Sequence, residues 1–120
     1  MGIRRLSIGI FGALAACVLA APAHAARPDE LVALSAVFGE LHHVRRMCEP
    51  KREGDLWRER MKQLVRLEQP TAKLRRRLVA SFNDGFRSAQ ERYSECDRAA
   101  ERFAEGRAGL GAEIAAKLAN

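Results

Sequence analysis

From about residue 29 onward, apolar side chains recur every three or four positions, and no stretch alternates with a period of two. The spacing predicts an all-α chain with helices over about 29–47, 55–68, 72–95 and 98–118. In the first, Leu31, Leu34, Val37, Phe38 and Leu41 share one face, and Cys48 continues it. Arg45 lies on that face, His42 at its edge and His43 on the opposite, solvent side. Trp57, Met61, Leu64 and Val65 form the stripe of the second helix. Leu74, Leu78, Phe82, Phe86, Ala89 and Tyr93 form that of the third, with Cys96 on the same face. In the fourth, Ala100, Phe103, Leu110, Ile114 and Leu118 align. Gly106, Gly109 and Gly111 weaken this last helix by up to about 1 kcal/mol each against alanine, which predicts a kink or a close helix contact.

The connections are short. Glu49 to Gly54 is a polar break with proline and glycine, and Gln69-Pro70 ends the second helix. Asp55 and Thr71 are suited to cap the helices that follow them, and the fourth helix starts after Asp97. Short links favour antiparallel neighbours, so the expected architecture is a small up-down-up-down four-helix bundle. In that arrangement the first and third helices end at the same end of the bundle. Cys48 closes one and Cys96 the other, so the topology makes a disulfide between them feasible. On the chain-entropy model such a bridge is worth about 4 kcal/mol, a large share of a small domain's stability.

The segment before residue 26 has a different character. Arg4 and Arg5 precede an apolar run, Leu6 to Ala20, and a small-residue stretch ending Ala23-His24-Ala25. This is the pattern of a cleaved export signal, with the cut between Ala25 and Ala26. The run is shorter than the ~20 residues that span a bilayer. Leu14-Ala15-Ala16-Cys17 also reads as a lipobox, so a lipoprotein anchored through Cys17 is the alternative to a free periplasmic protein. Residues 26–120 are enough for one small domain. They carry nineteen basic and fifteen acidic residues, a net charge of +4 with both signs interspersed. That balance favours weak attraction to anionic surfaces and does not call for nucleic acid. With Cys17 in the signal, Cys48 and Cys96 remain as an even pair bound for an oxidising compartment.

Candidate chemistry is sparse. Phe82-Asn83-Asp84-Gly85-Phe86 places poor helix formers inside the third helix. It reads as a packing notch at Gly85, with Trp57 the natural group to fill it, or as a kink presenting Asn83 to a ligand. Glu68 and Arg107 sit on apolar stripes at similar depth, so Glu68 is expected to pair with Arg107 or with Arg75, as a buried ion pair. Arg45 is a candidate partner for helix-end carbonyls, Tyr93 or Asp55. Lys73, Arg75, Arg76 and Arg77 crowd the start of the third helix against its dipole, with Arg66 expected nearby. They form either a solvated basic face or a patch for an anionic surface or partner. Glu40-Leu41-His42-His43 holds a single Glu-x-x-His, whereas a di-iron bundle needs two, and Glu40 faces away from the stripe. No Cys-x-x-Cys, haem-attachment sequence, His-Glu-x-x-His, serine elbow or phosphate loop occurs. No cofactor, metal site or catalytic residue is therefore assigned, and enzymatic function is disfavoured.

Several of these residues stand together in a wider pattern: Leu41-His42-x-x-Arg45-x-x-Cys48, Leu56-Trp57-Arg58-x-x-Met61, Arg77 to Asn83 with Gly85-Phe86, and Tyr93-x-x-Cys96. Across about residues 29–118 the chain resembles an uncharacterised family of small exported proteobacterial proteins, known as a domain of unknown function. Phe86 stands where a tyrosine is expected. The resemblance implies a small exported helical protein and brings no activity, ligand or catalytic residue. Taken together, the chain reads as an exported, disulfide-stabilised helical protein of the cell envelope with a structural or protein-interaction role. The alternative is a module that binds anionic lipid or cell-wall material. Neither the partner nor the oligomeric state is legible.

Overall fold

The computed structural model describes residues 23–120, together with two isolated glycines before them. The expected export segment lies outside the described residues up to residue 22, and no side chain of residues 23–26 is described. Four long helices and one single turn form: α1 (Ala23–Cys48), α2 (Pro50–Glu53), α3 (Leu56–Glu68), α4 (Ala72–Arg92) and α5 (Arg98–Ala119). There is no strand among the described residues.

Capping chemistry explains several boundaries. The Thr71 hydroxyl accepts a hydrogen bond from the Leu74 amide at 3.2 Å, and the Asp97 carboxylate accepts one from the Ala100 amide at 2.8 Å. Asp55 occupies the position before α3 but makes no side-chain cap. Gln69 closes α3 in the left-handed region, at φ 44°. Three boundaries differ from expectation. Helix α1 begins six residues before Asp29 and carries Pro28 within it, because an alanine-rich segment extends the helix backward. The polar break winds one turn, with Pro50 at its first position, where its missing N–H costs nothing. Helix α4 stops at Arg92, three residues early, and Tyr93 is extended with φ −128° and ψ 99°. A tertiary contact decides that end: the Tyr93 ring packs on Phe103 of α5 with centroids 4.8 Å apart.

Helix α1 is the centre of the molecule. Helices α3, α4 and α5 all pack on it, while their backbones stay largely apart from one another. Along α1 and α4 the contacts advance in step: Asp29 with Arg77, Val32 with Ser81, His42 with Phe86. Along α1 and α5 they run in opposite order, Arg27 with Leu118, Val37 with Gly111, Glu40 with Arg107. Leu34, Val37, Leu41 and Val44 form one core with Trp57, Ala100, Ala104 and Ile114, and Leu31 forms a second with Met61 and Leu78. Each buried aliphatic side chain contributes about 1.5–3 kcal/mol. Ser35 and Val44, off the expected stripe, are also fully buried, since α1 is covered on more than one side. The Ser35 hydroxyl donates to the Leu31 carbonyl at 2.8 Å, which makes its burial affordable. Leu110, placed on the α5 stripe by spacing, is instead exposed, and Gly111 takes the buried position beside it.

The α1–α4 seam is a contact of backbones. A Cβ on Gly85 would overlap the carbonyl of Ala36, and one on Gly39 would overlap the carbonyl of Phe82. Gly85 is thus a packing notch, but α1 fills it. Trp57 packs elsewhere, against Phe38 at 5.8 Å between ring centroids. Among the described residues no helix is long and apolar enough to cross a membrane.

Candidate functional site

The cysteines lie where α1 ends and the chain leaves α4. Their sulfurs are at disulfide distance and their Cα atoms 5.3 Å apart. Cys48 is half-buried, while Cys96 is exposed in the loop after Arg92 and not on a helix face. Close by, His43 Nε2 meets the Tyr93 carbonyl at 2.6 Å, so His43 is half-buried against the α4 end and does not point freely to solvent. The Glu101 carboxylate lies 3.9 Å from Cys96 Sγ. Cys48, Cys96 and Glu101 are the one group among the described residues close enough to share a metal ion. Sulfurs joined to each other are not thiolate ligands, so the group does not fit a metal while the pair is bonded.

One turn back on α1, His42 is 6% exposed and packs against Phe82 and Phe86, with centroids 5.8 and 5.5 Å away. Its Nδ1 is buried with no hydrogen-bond partner among the described residues. Burial holds its pKa below the ordinary 6.5, and the positive charges of Arg46 and Arg58 push the same way against the opposing pull of Asp55. His42 is therefore a packed neutral ring and not, as its sequence position implied, a group at the edge of a face.

The charges on the stripes find other partners than expected. Glu68 does not pair with Arg107 or Arg75. It accepts from Arg27 at 2.5 Å, while Arg27 also donates to the Leu118 carbonyl at 2.9 Å. Arg107 instead donates to Glu40 at 2.9 Å and lies over the Phe103 ring at 5.0 Å. The two charges do not lie at similar depth: Glu68 meets α1 at Arg27 and Arg107 meets it at Glu40, roughly 20 Å further along the helix at 1.5 Å per residue. The two bonds of Arg27 tie α1 to α3 and to α5, and that of Arg107 ties α5 to α1 again. Glu40, expected to face away, is mostly buried by its bond to Arg107. Arg45 lies 3.8 Å from Glu53, not against Tyr93 or Asp55.

The basic run at the start of α4 divides. Arg77 turns to Asp29 on α1 at 3.2 Å. Lys73 and Arg76 are exposed. Arg75 turns toward α3, where it lines a groove of about 280 Å³ with Lys62 and Arg66 above Met61, Val65 and Val79. Lysine 62 was not among the expected patch residues. It joins the patch because side chains of α3 and α4 line one groove. Asn83 is exposed on α4, which continues as a helix past it.

The model of the family described as "Protein of unknown function (DUF2385)" matches residues 28–120. The chain belongs to that family. No curated protein and no solved structure matches it. The matched span takes in all of α2 to α5 and α1 from Pro28 onward, so it contains the cysteine pair, the glycine seam and the basic groove. Gly39, Val44, Arg27 and Lys62 are the structurally active residues that spacing alone missed. A signal existed for Gly39, a poor helix former in mid-helix, three residues after Ala36.

Proposed function

We propose that this member of the family is an exported, disulfide-clamped helical protein of the cell envelope that works by binding a partner. The supporting observation is the Cys48–Cys96 pair, whose sulfurs lie at bonding distance. Such a bond persists in an oxidising compartment and is rare in a reducing one. The cationic start, apolar run and Ala23-His24-Ala25 stretch lead to the same compartment. In this reading the signal is cut between Ala25 and Ala26, and residues 26–120 form one domain with alternating up-down-up-down helices. The bridge then clamps the end of α1 to the end of α4.

The test is the intact mass of the protein recovered from its native envelope, before and after reduction. A mass for residues 26–120 that gains two hydrogens on reduction supports the proposal and directs the search for partners to the periplasm. A mass beginning at Cys17 with added acyl chains replaces a free protein by a membrane-anchored one. An uncut chain carrying free thiols refutes export and clamp together.

A further inference from the structure

The charge of the protein is concentrated in one hairpin. Residues 56–79, from the start of α3 into α4, hold eight basic residues and two acids, a net +6. The rest of residues 26–120 holds eleven basic residues and thirteen acids, a net −2. The near-neutral average therefore hides a strongly cationic element on a mildly acidic body.

Within that hairpin the two helices enclose the groove lined by Met61, Lys62, Val65, Arg66, Arg75 and Val79. None of the six is acidic. Lys62 has a neighbour in Glu59 at 3.2 Å on the exposed surface, whereas Arg66 and Arg75 have no ion-pair partner among the described residues. The other lining residues, Met61, Val65 and Val79, are apolar, and Val79 is 45% exposed. The first turn of α4 contains no acid, so the positive end of its dipole adds to the field of Lys73, Arg75 and Arg76. Cations at that end cost stability, and folding alone gives no reason to gather them there. A solvated basic face would need no apolar lining.

We propose that the α3–α4 groove docks on a membrane surface containing anionic phospholipid, with Arg66 and Arg75 holding the phosphate and Met61, Val65 and Val79 meeting the upper part of an acyl chain. Arginine suits this role because its fork donates two hydrogen bonds to one phosphate. The charge complementarity selects the occupant: a groove lined by cations from both helices and by apolar side chains matches a headgroup with its chain better than a free anion. This proposal builds on the reading of the protein as an envelope binding protein.

Flotation of the purified protein in its cut form, residues 26–120, with vesicles tests it. One set is phosphatidylcholine alone, and the other contains about one-third phosphatidylglycerol. Binding is expected only to the anionic set and should fall steeply as salt is raised. An R66Q/R75Q variant should bind at least about tenfold more weakly, since each basic residue at a surface is worth about one factor of five to ten. Val79→Ser should weaken binding severalfold without changing the salt dependence. Arg102→Gln, an exposed cation on α5, is the control and should bind as the parent does. Unfolding curves establish that the exposed variants remain folded. Absence of binding at low salt, equal loss in the Arg102 variant, or unchanged binding by R66Q/R75Q would overturn the proposal. Competition by millimolar inorganic phosphate as effective as by vesicles would assign the groove to a free anion and overturn it too. The vesicle result stands apart from export: a chain that binds vesicles but is never cut or oxidised in the cell refutes the envelope reading alone, and one that is exported but ignores anionic vesicles refutes the groove alone.

Discussion

The two long seams on α1 are built by opposite means. Against α4, α1 presents Gly39 and Ala36 and meets Gly85 and the Phe82 carbonyl, so at these two points backbone touches backbone. Against α5, the contact is made through side chains: Val37 beside Gly111, Arg107 bonded to Glu40, and Arg107 over Phe103. A cavity of about 180 Å³ lies between α1, α3 and α5 among Leu34, Phe38, Leu41, Trp57, Ala108 and Gly111, while an open groove of about 510 Å³ runs along the α4 seam past Ala36, Ser81 and Gly85. A backbone seam has no flexible group that can yield, whereas a side-chain seam can repack. The same residue type, glycine, therefore has different worth on the two sides.

The largest effect should come from the lock at the end of the tight seam. Cys48→Ser should cost about 4 kcal/mol and lower the melting temperature by many degrees, with the double Cys48/Cys96 variant no worse than the single one. An unchanged melting temperature would remove the clamp from the account. Next in size, Gly39→Ala and Gly85→Ala should each lose about 1–3 kcal/mol in urea unfolding, even though alanine is the better helix former. If either is neutral, the helices separate more readily than backbone contact allows and the contrast between the seams collapses.

A smaller effect, also on the tight seam, concerns His42. Its folded pKa lies below the ordinary 6.5, so the unfolded chain binds the additional proton first. Stability should be complete above about pH 6.5 and decline as the pH falls through the folded value. Replacing His42 by Phe should flatten this part of the pH–stability profile, and an identical profile in the variant would place the titration elsewhere. On the α5 side the sign reverses. Gly106→Ala and Gly109→Ala meet nothing within 4 Å and should gain about 0.5–1 kcal/mol. Gly111→Ala, whose Cβ would lie 3.2 Å from a Val37 methyl that can shift, should be close to neutral. A loss as large as at Gly39 would show that the α5 seam is as rigid as the α4 seam.

Much of the architecture was legible from residue spacing. The helices and their breaks follow from the apolar period with Pro50, Gln69-Pro70 and the Thr71 and Asp97 caps, because these are interactions among near neighbours in the chain. The coming together of Cys48 and Cys96 followed from short links between helices. The candidate site was less legible. Glu68 and Arg107 needed partners, yet Arg27 and Glu40 were invisible as those partners, because helical periodicity fixes neither the axial offset nor the rotation of one helix relative to another. The basic run was visible, but not that Arg77 leaves it for Asp29 while Lys62 and Arg66 join Arg75 across a groove.

The sequence alone establishes that the described chain is helical, where α3, α4 and α5 begin to within about one residue, which two cysteines come together and how charge is distributed along the chain. Those properties depend on composition and on contacts only a few residues apart. Tertiary structure alone decided that α1 is the common neighbour of the other long helices, that α1 and not Trp57 fills the notch at Gly85, and which cations face one another across α3 and α4. Each depends on the angle at which one helix meets the next, and that angle is settled by the packing of all the helices at once.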